Sequence, residues 1–149
     1  KLKNLFRLCA GGFRDMTRIA ASNTKMWLDI SLENKKEIVK AIELYMDYLN
    51  DFKTNDLLLG PVSEGAKGDA LLELGETDQA LKQYQKAYSD TDNELTTPIY
   101  MMKAANLLES IDELEEALSL YEEIKEKYPD SDEGTNVERF IARVKIKLG

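Results

Sequence analysis

Histidine is absent from the 149 residues, cysteine occurs once and proline three times. Without histidine the chain lacks the side chain most used for proton transfer near neutral pH, and Cys9 has no imidazole to activate it. A single cysteine excludes an internal disulfide and suits a reducing compartment, so a cytoplasmic setting is expected. Pro61, Pro98 and Pro129 stand outside the runs of helix formers. Pro61 after Gly60 and Pro98 after Thr97 read as first-turn prolines. No apolar run approaches the ~18 residues that a membrane span needs, and no leader pattern is visible. No G-x-G-x-x-G loop and no alternating strand pattern occur, so no cofactor is expected.

The chain does contain one unit written twice. Ala66–Ala87 and Lys103–Ile124 align at a shift of thirty-seven residues, with Leu71 on Leu108, Leu74 on Ile111, Ala80 on Ala117, Leu81 on Leu118, Tyr84 on Tyr121 and Ala87 on Ile124. Within each copy the apolar residues recur at helical spacing. Gly75 separates two such stripes in the first copy, as expected just past a helix end, and Asp112 takes its place in the second. Each copy therefore reads as a helical hairpin that closes its core only by stacking on a neighbour. The predicted helices are 61–74, 77–89, 98–110, 112–127 and 131–148. In the last, Val137, Phe140, Ile141, Val144 and Leu148 face inward, while Glu138, Arg139, Arg143, Lys145 and Lys147 form a solvated face. Asp130 with Glu133 forms a capping-box pattern at its start.

The net charge of −8 is unevenly distributed. Residues 1–27 hold six basic residues against Asp15 alone, which leaves −13 on the remainder. An acidic body argues against nucleic-acid binding. Asp130, Asp132 and Asn136 lack the later ligands of a calcium loop, so no metal site is expected. Glu109, Asp112, Glu113, Glu115 and Glu116 read as a solvated turn and first helical turn. No catalytic residue is assigned.

The repeated unit resembles a tetratricopeptide repeat over about 41–149. Leu74-Gly75 matches that family's turn, Ala80 its small contact residue, Tyr84 and Tyr121 its aromatic, and Pro129 the stop after its second helix. Asp92 stands at the equivalent proline position of the first copy, in a link, Ser89–Thr97, that is three residues longer. The resemblance implies an all-α, right-handed solenoid of helical hairpins with an N-terminal helical segment and a C-terminal capping helix. It also implies a concave peptide groove carrying Asp69, Leu72 and Glu73 from one unit, with Met102, Asn106 and Glu109 from the next. Gly65 and Met102 stand where carboxylate-gripping members keep a cation, so the groove is expected to prefer a basic or apolar ligand.

The opening string G-F-R-D-x-T-R-I-A, followed by M-W-x-D-I and x-E-N-K, resembles the C-terminal helical dimerisation domain of prephenate dehydrogenase over about 5–39. By that resemblance Arg18 matches an arginine that meets a substrate carboxylate, Trp27 lies near the same pocket, and a homodimer is implied. Ala41, Ile42 and Tyr45 also fall thirty-nine residues before Ala80, Leu81 and Tyr84. Helix 33–53 is thus expected to be shared, starting as a dehydrogenase helix and ending as a buried repeat helix. The expected organisation is 1–32, the dehydrogenase-like helices, then 33–149, comprising the shared helix, repeat 61–89, repeat 98–127 and capping helix 131–148, in one continuous unit. Three functional readings follow: a recombined or engineered scaffold without catalysis, an adaptor that binds a protein or peptide partner, and a fragment of a prephenate dehydrogenase.

Overall fold

The computed structural model describes Asp29 and residues 32–149. Arg18, Trp27, Cys9 and the dehydrogenase-like motif up to Trp27 lie outside the described residues. The chain divides into two compact units, Lys1–Ala41 and Ile42–Gly149. All regular structure among the described residues is helical: α1 Lys35–Asp51, α2 Leu59–Glu73, α3 Thr77–Ser89, α4 Thr97–Ser110, α5 Leu114–Lys127, α6 Asp132–Asn136 and α7 Glu138–Leu148.

In the second unit each long helix from α2 to α5 packs on the next, and α7 packs on α5. The thirty-seven-residue register holds in burial as well as in sequence. Ala80, Tyr84 and Ala87 of α3 are buried, as are Ala117, Tyr121 and Ile124 of α5. Helix α4 is apolar on two faces because it lies between two cores. Tyr100, Ala104 and Leu107 join Leu71, Ala80 and Tyr84 on one side. Met101, Ala105 and Leu108 join Ala117, Tyr121, Ile124 and Val144 on the other.

The two hairpin turns share one hydrogen-bond pattern. The Glu76 N–H donates to Leu71 O at 2.9 Å, and the Glu113 N–H to Leu108 O at 3.0 Å. That pattern needs a left-handed residue at the position before. Gly75 supplies it at φ 84°, and Asp112 at φ 68° is the one non-glycine residue with positive φ among the described residues. Gly68 serves packing instead, since a Cβ there would lie 2.5 Å from the Tyr84 ring.

The long link between the hairpins is drawn inward. Asn93 Oδ1 accepts from the Thr96 N–H at 2.7 Å and the Leu95 N–H at 3.0 Å, while Thr97 Oγ1 accepts from the Asn93 N–H at 2.9 Å. Thr96 and Thr97 are buried. Asp92, in place of the expected proline, accepts from the Tyr128 hydroxyl at 2.5 Å. Burial, then this carboxylate, pushes the Tyr128 phenol up to about 12.

Two sequence expectations are corrected. The capping helix is broken: Ser131, not Asp130, caps α6 by accepting from the Gly134 N–H at 2.9 Å, and Val137 joins α6 to α7 as a buried corner. Gly134 is required there, because a Cβ would come within 2.0 Å of Tyr128 O. Leu148, expected inward, is exposed. Helix α1 also departs from its register equivalents. Tyr45 is 47% exposed whereas Tyr84 and Tyr121 are 2% and 0% exposed. Of α1's expected stripe only Leu49 is buried. The cause is packing: Tyr84 and Tyr121 lie against the first helix of their own hairpin, whereas α1 packs on the first core through Met46 and buries only Leu49 near its C-terminal end.

Candidate functional site

The exposed side of Tyr45 forms one wall of a groove. Ile42 and Tyr45 from α1 face Ala66, Asp69, Ala70 and Glu73 from α2 around a cavity of about 250 Å³. The spacing 66, 69, 70, 73 places one stripe of α2 along it, with small residues leaving room and two carboxylates one turn apart. The carboxylates differ in commitment. Asp69 receives Lys103 Nζ on both oxygens at 2.7 Å and the Tyr84 hydroxyl on Oδ1 at 2.7 Å. Lys103 Nζ also lies 5.7 Å from the ring centroids of Tyr84 and Tyr100, within cation–π reach. Glu73 is exposed and makes no hydrogen bond or ion pair with a described residue. Burial first, and the Asp69 carboxylate second, raise the Tyr84 phenol well above its ordinary value.

The second hairpin repeats this arrangement with different chemistry. The Tyr121 hydroxyl lies 2.8 Å from Asn106 Oδ1 and 3.1 Å from Glu109 Oε2, sharing its one proton between two acceptors. Asn106 is the register equivalent of Asp69. Glu109 is buried and takes Arg143 Nε at 2.7 Å, an Arg143 terminal nitrogen at 2.5 Å and Lys147 Nζ at 2.8 Å. The Arg143 guanidinium outweighs the opposing effect of burial, and with Lys147 and Tyr121 it holds the carboxyl down at about 2. Phe140 stacks on Tyr121 at 5.4 Å, with the Arg139 and Arg143 guanidinium groups each 4.8 Å from its centroid.

Of the six expected groove residues, the structure brings together Asp69 and Glu73. Leu72 is exposed on α2 but does not line the cavity, and Met102 packs on the second core. Asn106 and Glu109 belong to the Tyr121 cluster. Glu109 is therefore not part of a solvated turn, and Arg143 and Lys147 do not form a free polar face. Both Asp69 and Glu109 are neutralised from the same sequence distance: Lys103 follows Asp69, and Arg143 follows Glu109, by thirty-four residues. Sequence reasoning missed these ties because it tracked apolar register only. A polar signal was present in the fifteen-residue spacing shared by Asp69–Tyr84 and Asn106–Tyr121. Among the described residues no three acidic or thiol side chains are placed to hold a metal ion. No described helix is long and apolar enough to cross a membrane.

Two family models match separate stretches of the chain. Residues 1–55 match the family model described as prephenate dehydrogenase, dimerization domain, and residues 100–131 match that of the tetratricopeptide repeat. The repeat match covers all but the first turn of α4, all of α5 and the turn after it; the dehydrogenase match runs through all of α1 into the link that follows. Three curated proteins resemble the first part. The prephenate dehydrogenase of Bacillus subtilis is 44% identical over 48 residues, 32% of this chain and 13% of that protein. The cyclohexadienyl dehydrogenase of Zymomonas mobilis is 38% identical over 50 residues, 34% of this chain and 17% of that protein. The prephenate dehydrogenase of Lactococcus lactis is 41% identical over 44 residues, 30% of this chain and 12% of that protein. The chain thus spans less than a fifth of the length of each of these relatives.

Proposed function

We propose that the chain serves association rather than catalysis: a helical-repeat interaction module follows a dimerisation segment, and the α1–α2 groove takes an extended peptide. The observation that carries this reading is the pairing of exposed Tyr45 with uncommitted Glu73 around an apolar cavity. An exposed aromatic beside small residues supplies a seat for an apolar side chain, and an unpaired carboxylate at its rim favours a basic neighbour. The ligand class is therefore an apolar residue followed by lysine or arginine. Asp69 contributes shape, since its charge is already met by Lys103. Titration of the full chain with a Leu-Lys-rich decapeptide, followed by calorimetry, is the test. Tyr45→Ala and Glu73→Lys should each weaken binding by about tenfold, or ~1.4 kcal/mol. Equal affinity in both variants and the parent would remove the groove from consideration.

A second reading is that the chain is part of a prephenate dehydrogenase carrying a repeat module, and the match over residues 1–55 favours it. Under that reading the chain is a homodimer through its first segment. Light scattering coupled to gel filtration should return twice the mass of 17.0 kDa; a monomer at micromolar concentration would count against it. An engineered splice inside α1 has less support, because the dehydrogenase match continues past residue 39 to residue 55.

A further inference from the structure

A different concavity opens where the link after α1 meets the first half of α2 and the end of α3. Its volume is about 340 Å³, and Lys53, Asn55, Ser63, Glu64, Lys67 and Lys86 are among the residues lining it. An adjoining space of about 370 Å³ shares Asn55, Glu64 and Lys86. Both sizes fall in the range of small-molecule sites.

The walls are polar and incompletely satisfied. Ser63 is 6% exposed, yet its Oγ has no hydrogen-bond partner. Glu64 Oε1 takes Lys67 Nζ at 3.0 Å and Lys86 Nζ at 3.1 Å, while its buried Oε2 has none. Lys53 makes no ion pair with a described residue. Buried polar groups without partners are uncommon and cost stability, so two adjacent ones on a cavity wall call for an explanation. Burial pushes the Glu64 carboxyl up, but the two ammonium groups more than offset it and hold it low. Glu64 is therefore an ionised acceptor at neutral pH. In the first space three lysines stand against Glu64 alone, which calls for an anion, while Asp56 and Asp90 border only the adjoining space and Glu64 Oε2 calls for a donor.

We propose that this cleft binds a small organic acid with a hydrogen-bond donor beside its carboxylate, that is, an α-hydroxy or α-amino acid. The carboxylate lies between Lys53 and Lys86, and small side-chain rotations uncover Ser63 Oγ to donate to it and Glu64 Oε2 to accept the adjacent O–H or N–H, since both atoms are covered in this structure. Gly60 also lines both spaces, and a Cβ added there would meet nothing within 4 Å. That position offers a plug which leaves the core untouched.

The test is a ¹⁵N chemical-shift titration of the full chain at constant ionic strength with glycolate, glycine and acetate. Glycolate or glycine should shift the Gly60, Ser63 and Glu64 amides in a saturable way. Acetate, which lacks the donor, should bind at least about tenfold more weakly. The response should be lost in Gly60→Leu and Lys86→Met, with circular dichroism confirming that each is folded. Glu64→Gln should weaken glycine more than glycolate, which separates the ammonium donor from the hydroxyl. Equal response to acetate, no saturable shift, or unchanged binding in the folded Gly60→Leu variant would overturn the proposal. None of these residues lines the α1–α2 groove, so failure here leaves the peptide reading standing.

Discussion

The two hairpins are the same object in two settings. Tyr84 and Tyr121 occupy one register position, but Tyr84 bonds a carboxylate that is half exposed, whereas Tyr121 bonds an amide and a carboxylate that is buried beneath two cations. The first hairpin approaches closely through Gly68; the second has Ala105 at the equivalent position and still buries its tyrosine completely. The first turns on glycine, the second on aspartate. A shared apolar register therefore fixes the hairpin geometry, while polar chemistry at each level is set by whatever helix comes next.

Truncating the ring should break the comparison most sharply. Tyr121→Ala is expected to cost about 3–5 kcal/mol, and Tyr84→Ala less, because Tyr121 is covered by α7 as well. Urea denaturation of both variants measures the difference. Gly68→Ala should cost about 1–3 kcal/mol by forcing the Tyr84 ring aside, whereas Ala105→Gly should cost only about 1 kcal/mol. A neutral Gly68→Ala would mean that α2 and α3 separate freely.

The buried acid offers a test by pH. Glu109 is held at about 2 in the fold against an ordinary 4.5. A depressed carboxyl stabilises the fold above its unfolded value, and that contribution is lost as pH falls from 4.5 towards 2. With allowance for the half-exposed cations, the loss should be about 1–2 kcal/mol. Glu109→Gln should flatten the melting temperature across that window and be less stable than the parent at pH 7. The smallest effect belongs to the turn: Asp112→Gly should stabilise by about 0.5–1 kcal/mol by relieving a left-handed aspartate, and Gly75→Ala should destabilise by a similar amount.

Much of this architecture was legible beforehand. Leu71, Ala80, Tyr84 and their equivalents place the helices because apolar period and helix pitch are local properties, and Gly75 and Pro129 mark ends for reasons of backbone geometry. The ion pairs were not legible, because Lys103–Asp69 and Arg143–Glu109 follow a thirty-four-residue offset rather than the thirty-seven-residue one. The exposure of Tyr45 was also hidden, since periodicity says which side of a helix is apolar and not whether another helix covers it. Of the candidate groove, Asp69 and Glu73 were expected only through the resemblance to the repeat family; Ile42 and Tyr45, on the other wall, were expected to be core.

The segment from Thr91 to Thr97 carries a practical lesson for anyone inserting a tag or opening the chain. It belongs to a connection longer than the turn within the first hairpin, and length usually signals tolerance. Here buried threonines and the Tyr128 hydroxyl hold it from both sides, so a protease should spare it. The three-residue corner at Gly75, open to solvent and free of neighbours, is the better place to cut or graft.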